Sequence, residues 1–117
     1  MTFVTEERER VAAIQRRHQR DRLESARASY QDAITRAQAK VKQCDATLAK
    51  LERIHELTLD IPKDCVVGGV QFNFAAQELV VKAKKTVTTT RERAADDLQR
   101  AKSAANTNER AIGSLKD

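Results

Sequence analysis

The sequence predicts an all-α dominated chain, a long antiparallel helical coiled-coil hairpin with a short β-hairpin at its closed end. Three observations lead there. A seven-residue apolar repeat runs through residues 23–51, the only proline (Pro62) ends that helical stretch, and a Gly-Gly pair between alternating residues follows it. With 117 residues, three Gly and 33% charged residues, the chain fits one domain built of few, long elements. Only 3% of residues are aromatic and there is no Trp, so a thick globular core is not expected.

The first helix is expected over about residues 5–57. Thr2 or Thr5 would cap its start, and Glu6 and Glu7 would suit the positive end of its dipole. Leu23, Tyr30, Ala37, Cys44 and Leu51 recur every seven residues, and Ile34, Val41 and Leu48 recur between them. Together they form the d and a positions of a coiled-coil seam. Small Ala37 and Cys44 imply that a partner helix comes close. Before Leu23 the register fails, because Arg16 and Arg20 occupy the continuing seam positions. Phe3, Val4, Val11 and Ile14 form a separate apolar patch.

Pro62 disfavours helix geometry at Ile61 and lacks an N–H, so residues 58–74 are read as linker and hairpin. A two-residue loop at Gly68-Gly69 pairs Val67 with Val70, Val66 with Gln71 and Cys65 with Phe72. One face then carries Cys65, Val67, Val70 and Phe72, with Phe74 just beyond. A lone hairpin is marginal in water, so its apolar face needs a cover, and oligomerisation through these five residues is expected.

Asn73 would cap a second helix over about residues 74–113. Its stripe includes Val80, Val87, Ala94, Leu98, Ala101, Ala105, Ile112 and Leu115. Ile34, Val41 and Leu48 should lie near Leu98, Ala94 and Val87. The run Thr86-Val87-Thr88-Thr89-Thr90 is β-branched throughout and reads as a fair strand by propensity. Val80, Ala83, Val87 and Ala94 stay in helical phase through it, which favours helix.

The net charge of +5 is spread along the chain and interleaved with acids. Glu6/Arg10, Asp32/Arg36, Glu78/Lys82 and Asp96/Arg100 have the spacing of helical ion pairs. Arg16, Arg17, Arg20 and Arg22 beside His18 make the densest basic patch. It has no aromatic companion and is diluted by Asp21 and Glu24, so a solvated face is preferred and a nucleic-acid partner is not expected. No apolar run reaches the ~18 residues of a membrane span, and no signal-peptide pattern opens the chain. A cytoplasmic location, without a membrane partner, is the expectation.

Catalysis is not expected either. Cys44 sits in the seam and Cys65 faces Phe72, both read as small packing residues. His18 and His55 lie on polar stretches and read as solvated. No Cys-x-x-Cys, His pair at metal spacing or phosphate-cradling loop is present, so no cofactor or metal is expected.

Helix, hairpin and helix in this order resemble the β-class subunits of prefoldin, the hexameric co-chaperone. The likeness rests on Cys65-Val66-Val67-Gly68-Gly69-Val70-Gln71-Phe72 and on Ala83-Lys84-Lys85-Thr86-Val87. Phe72 and Phe74 stand where the family has smaller aliphatics, and the pI near 9.5 is more basic than is usual there. The resemblance implies that hairpins of several chains close into a β-barrel body while helices project from it. Non-native protein would then be held at the tips by Phe3, Val4, Val11 and Ile14 of one helix with Ile112 and Leu115 of the other. The other reading is a non-catalytic coiled-coil adaptor of a larger assembly, with the hairpin as a docking strand for a neighbour's sheet edge. The plainer account of Phe3 and Val4 is a helix start tucked against Leu115. Other protein subunits, as a homo- or hetero-oligomer, are the expected partners.

Overall fold

A computed structural model describes residues 2–115, with side chains from Phe3 onward. Helix α1 spans Thr2–Leu59, strands β1 and β2 span Val66–Val67 and Val70–Gln71, and helix α2 spans Phe72–Ser114. The architecture is a helical hairpin with a small two-stranded antiparallel sheet between its helices.

Helix α1 begins three residues earlier than its sequence suggests. Thr5 therefore lies inside the helix, and no acidic residue falls in the first turn. The Thr2 side chain lies outside the described residues. At the other end the helix tightens, with Asp60 N–H donating to Leu57 O (3.2 Å) and Ile61 N–H to Thr58 O (3.3 Å). Buried Thr58 donates its hydroxyl to His55 O at 2.6 Å, and Pro62 follows. Exhausted helix donors and a proline end the helix together.

The strands pair as the Gly-Gly turn requires, Val66 opposite Gln71 and Val67 opposite Val70. Gly68 and Gly69 have φ of 59° and 81°, the left-handed pair of a type I′ turn. Phe72 N–H also donates to Cys65 O at 3.0 Å, but Phe72 already begins α2 and is not a strand residue. Asn73 is thus in the first turn and not before it. Its Oδ1 accepts from Phe74 N–H at 2.9 Å, satisfying one of the donors a helix start leaves open.

The threonine run is helical. Thr86 donates to Lys82 O, Thr89 to Lys85 O and Thr90 to Thr86 O, at 3.2, 3.0 and 3.0 Å. A hydroxyl that bonds the carbonyl four residues back is satisfied within the helix but slightly weakens it, so these bonds do not offset the poor propensity of threonine. The poor propensity is outweighed by the burial of the seam residues on either side, Val80 and Ala94.

Two compact units lie along the chain. The unit of Ala37–Asp97 is centred on Cys44, Val80 and Ala94, which are 6%, 6% and 4% exposed. Val41, Leu48, Leu51 and Val87 are half-buried around them. Arg91 pairs with Asp45, and Lys84 with Glu52. One heptad along α1 is matched by one heptad back along α2, so the helices run antiparallel there. The Lys84 hydrogen bond, then its charge, hold the Glu52 carboxyl below its ordinary range. These exposed pairs set register more than they stabilise.

The other unit takes in the chain up to Arg36 and from Leu98 onward. Leu23, Tyr30, Ile34 and Leu98 are half-buried, and Ile112, at 2% exposure, is the most deeply buried apolar residue. The Arg27 guanidinium takes both Glu109 oxygens, at 2.5 and 2.9 Å. That contact raises the pKa of Arg27, chiefly through the hydrogen bond. Among the described ion pairs none joins the four pairs with helical i,i+4 spacing. Arg36 donates to the Asp32 backbone carbonyl instead of its carboxylate. The described ion pairs all join α1 to α2, because facing helices in register bring opposite charges together.

Asn108 is the polar member of this core. It is 5% exposed, and its Nδ2 donates to Leu23 O at 2.9 Å. A buried amide with one partner on the facing helix favours a single register over its neighbours. Asn108→Ala is expected to lower stability by roughly 1–2 kcal/mol. Asn108→Leu should hold or raise the urea midpoint while broadening the amide NMR spectrum through alternative registers. An unchanged midpoint for Asn108→Ala would show that the bond pins nothing.

Candidate protein-interaction surfaces

Large apolar side chains left in water fall into two clusters and nowhere else among the described residues. One is Phe3, Val4, Val11 and Ile14. The other is the set of ten from Ile54 to Val81.

The second cluster surrounds the β-hairpin. Val66, Val67 and Val70 are 56%, 63% and 51% exposed, Phe72 and Phe74 47% and 58%. Cys65 is exposed and unpaired with any cysteine. Neither face of the two-stranded sheet is covered by the chain, so Val66 on one face is as open as Val67 on the other. The sequence reading did not single out Ile54, Leu57, Leu59, Leu79 and Val81, all of which are exposed here. The signal was present in their phase. Leu79 and Val81 flank buried Val80, so they lie off the seam, and Phe72/Leu79 and Phe74/Val81 are each one heptad apart. The first turns of α2 are therefore apolar nearly all round, the pattern of a helix that is covered on more than one side.

The exposed fractions set the size of this surface. Burying one Val, Leu, Ile or Phe removes roughly 60–120 Å² of apolar area, at 25 cal/mol per Å². About half of each side chain is still open, so the ten together offer roughly 300–600 Å². An interface of standard size buries about 800 Å² per partner, of which roughly 450–520 Å² is apolar. The hairpin cluster is of that size.

His55 was read as solvated, but it is half-buried, and its Nδ1 is shut from water without a hydrogen-bond partner. It lines an open groove of about 380 Å³ with Phe74, Gln77, Val81, Lys82 and Lys85. His18 is exposed. Cys44 is buried in the seam. Among the described residues no three His, Cys, Asp or Glu side chains converge as metal ligands would, and no helix is long and apolar enough to cross a membrane.

The first cluster lies on an overhang. Arg27 pairs with Glu109, and α2 ends at Ser114, so the last turn of α2 lies beside about residue 22 of α1. Residues 3–19 are exposed apart from half-buried Ala12, and among the described residues no second helix runs beside them. Phe3 is 75% exposed, and Val4, Val11 and Ile14 are 46–48% exposed. Ile112 and Leu115 do not join them. Ile112 is buried against α1 and Leu115 is half-buried, so both belong to the helix-pair core. The expected six-residue tip is reduced to four residues of one helix. The expected helices, about 5–57 and 74–113, were already unequal, and the 58 residues of α1 outrun the 43 of α2.

These features define a class of protein, the helical hairpin with an uncovered β-hairpin and one overhanging helix. Compared with protein-family models, with curated proteins and with solved structures, the chain matches none.

Proposed function

We propose that this chain is a non-catalytic subunit of a protein assembly, of the prefoldin-like co-chaperone kind. It oligomerises through the β-hairpin and the first turns of α2, and it holds non-native protein on the α1 overhang. The observation that carries this reading is the cluster of ten exposed apolar side chains from Ile54 to Val81, sized for an interface. An apolar area of roughly 300–600 Å² equals the largest patch of a typical monomer, and patches of that size are often functional. The plan of two long helices around one hairpin is compatible with a β-class prefoldin subunit. Exposed Phe3, Val4, Val11 and Ile14 supply the weak, non-directional contacts a holdase uses.

The second reading, a structural adaptor, is favoured by one observation. With Ile112 buried, the tip has less apolar area than a holdase of this plan would want. Native mass measurement together with an aggregation assay decides. A discrete oligomer (about 79 kDa for six copies of the 13.1 kDa chain) that keeps an unfolded test protein in solution supports the co-chaperone. A stable oligomer without that activity supports the adaptor, and a strict monomer removes both readings.

A further inference from the structure

On the 100°-per-residue wheel of α1, Val4 and Val11 stack one heptad apart, with Phe3 and Ile14 beside them on one side. Arg10 and Arg17, also one heptad apart, border the stripe on that side. Arg8 borders it on the other. All three arginines are exposed. Glu9 falls on the far face, and Glu6 lies beside Arg10 and Arg17, one step further from the apolar four. Glu7 and His18 are the charged or titratable residues inside the arc near the apolar four. The result is a short apolar seam with arginines on both edges, on a stretch of helix beside which no second helix runs among the described residues.

We infer that the overhang docks an amphipathic helical segment of another polypeptide, one whose apolar seam is flanked by acidic residues. The inference rests on the reading of the overhang as a binding surface and names the chemistry of what it holds. A second copy of the chain is the wrong occupant in either direction. Antiparallel pairing sets the Arg10–Arg17 edge against its own duplicate, and parallel pairing sets it against the Arg8 edge. Both bring like charges together across the seam. Glu or Asp at the flanking positions of a foreign helix meets arginine on both sides. The area also fits. Four side chains offer roughly 130–260 Å² at 25 cal/mol per Å², enough for two heptads of a helix and short of a stable subunit interface.

Three synthetic peptides test this against the full-length chain. Each has Leu at the seam positions of three heptads and carries Glu, Gln or Lys at the flanking positions. The Glu peptide should bind and gain helicity by circular dichroism, about tenfold more tightly than the Lys peptide, three exposed ion pairs being worth that much. Its affinity should fall as salt rises. Arg8→Gln, Arg10→Gln and Arg17→Gln together should erase the difference between peptides. Val11→Ser with Ile14→Ser should abolish binding, with the helicity of the free chain unchanged.

Equal binding of the Glu and Lys peptides overturns the inference, as does Glu-peptide binding that survives Val11→Ser with Ile14→Ser. Loss of native mass in that double variant also overturns it, since a second copy would then be the occupant. A duplex oligonucleotide that binds more tightly than the Glu peptide, and is released by the three Arg→Gln changes, would assign the rim to phosphates instead. Failure of the co-chaperone reading is a different result. The Glu peptide would bind while aggregation of an unfolded test protein proceeds unhindered. Suppression of aggregation without charge preference would leave that reading standing and remove this one.

Discussion

Ile112→Ala will lower the stability of its unit by roughly 2–4 kcal/mol, the range for truncating a buried Ile or Leu. The side chain is 2% exposed, on the same face as buried Asn108 one turn before it. Stability of a small domain is about 5–15 kcal/mol in all, so one residue would remove a large part of it. Tyr30 offers the readout. It is the only Tyr in a chain without Trp, and it borders a cleft of about 370 Å³ with Ala105 and Asn108. Its fluorescence reports the unit that contains Ile112. Urea unfolding followed by Tyr30 should shift to a lower midpoint, while Phe3→Ser, at a 75% exposed position, should leave it in place. A change below about half a kcal/mol for Ile112→Ala would mean that the two helices do not close over this residue.

Val67→Ser, Val70→Ser and Phe72→Ser together will abolish assembly while leaving the helices folded. Each side chain is about half exposed or more in the single chain, so its loss costs the fold little, within about 0.5 kcal/mol per site. In an assembly the same three would be buried. Their apolar area would be lost and three hydroxyls would be shut from water without partners, a cost of about 1–3 kcal/mol each. Native mass spectrometry should show the monomer, and circular dichroism should show unchanged helicity. An oligomer that survives all three substitutions would place the interface elsewhere than on the hairpin. Gly69→Val tests the same element from the backbone. Nothing within 4 Å would meet the added Cβ, so any loss comes from forcing φ of 81° on a β-branched residue.

The residues that spelled out the fold did so through local rules. Pro62 ends a helix whatever it is packed against. Gly68-Gly69 selects a turn whose twist matches antiparallel strands, and register follows from loop length. Leu23 to Leu51 repeat every seven residues because a helix presents them to one neighbour. Exposure of the hairpin was also legible, since the sequence holds nothing else apolar enough to cover it. The threonine run stood at the margin. Propensity pointed one way and phase the other, and hydroxyl bonds to Lys82 O, Lys85 O and Thr86 O accompany the outcome.

What the sequence by itself determined is therefore the order of elements, the seam and the turn. Each depends on the chain's near neighbours or on a period that local geometry imposes. Only the tertiary structure decided which residues of those elements meet. The offset between α1 and α2 leaves residues 3–19 exposed apart from Ala12, buries Ile112 and Asn108, and sets Arg27, Asp45 and Glu52 against Glu109, Arg91 and Lys84. A heptad repeat looks the same after a shift of seven residues, so periodicity states which face is buried and is silent about what lies opposite. Register comes from the closing hairpin and from matched charges and one buried amide across the seam. Those are relations between residues distant in sequence, and they exist only once the helices lie side by side.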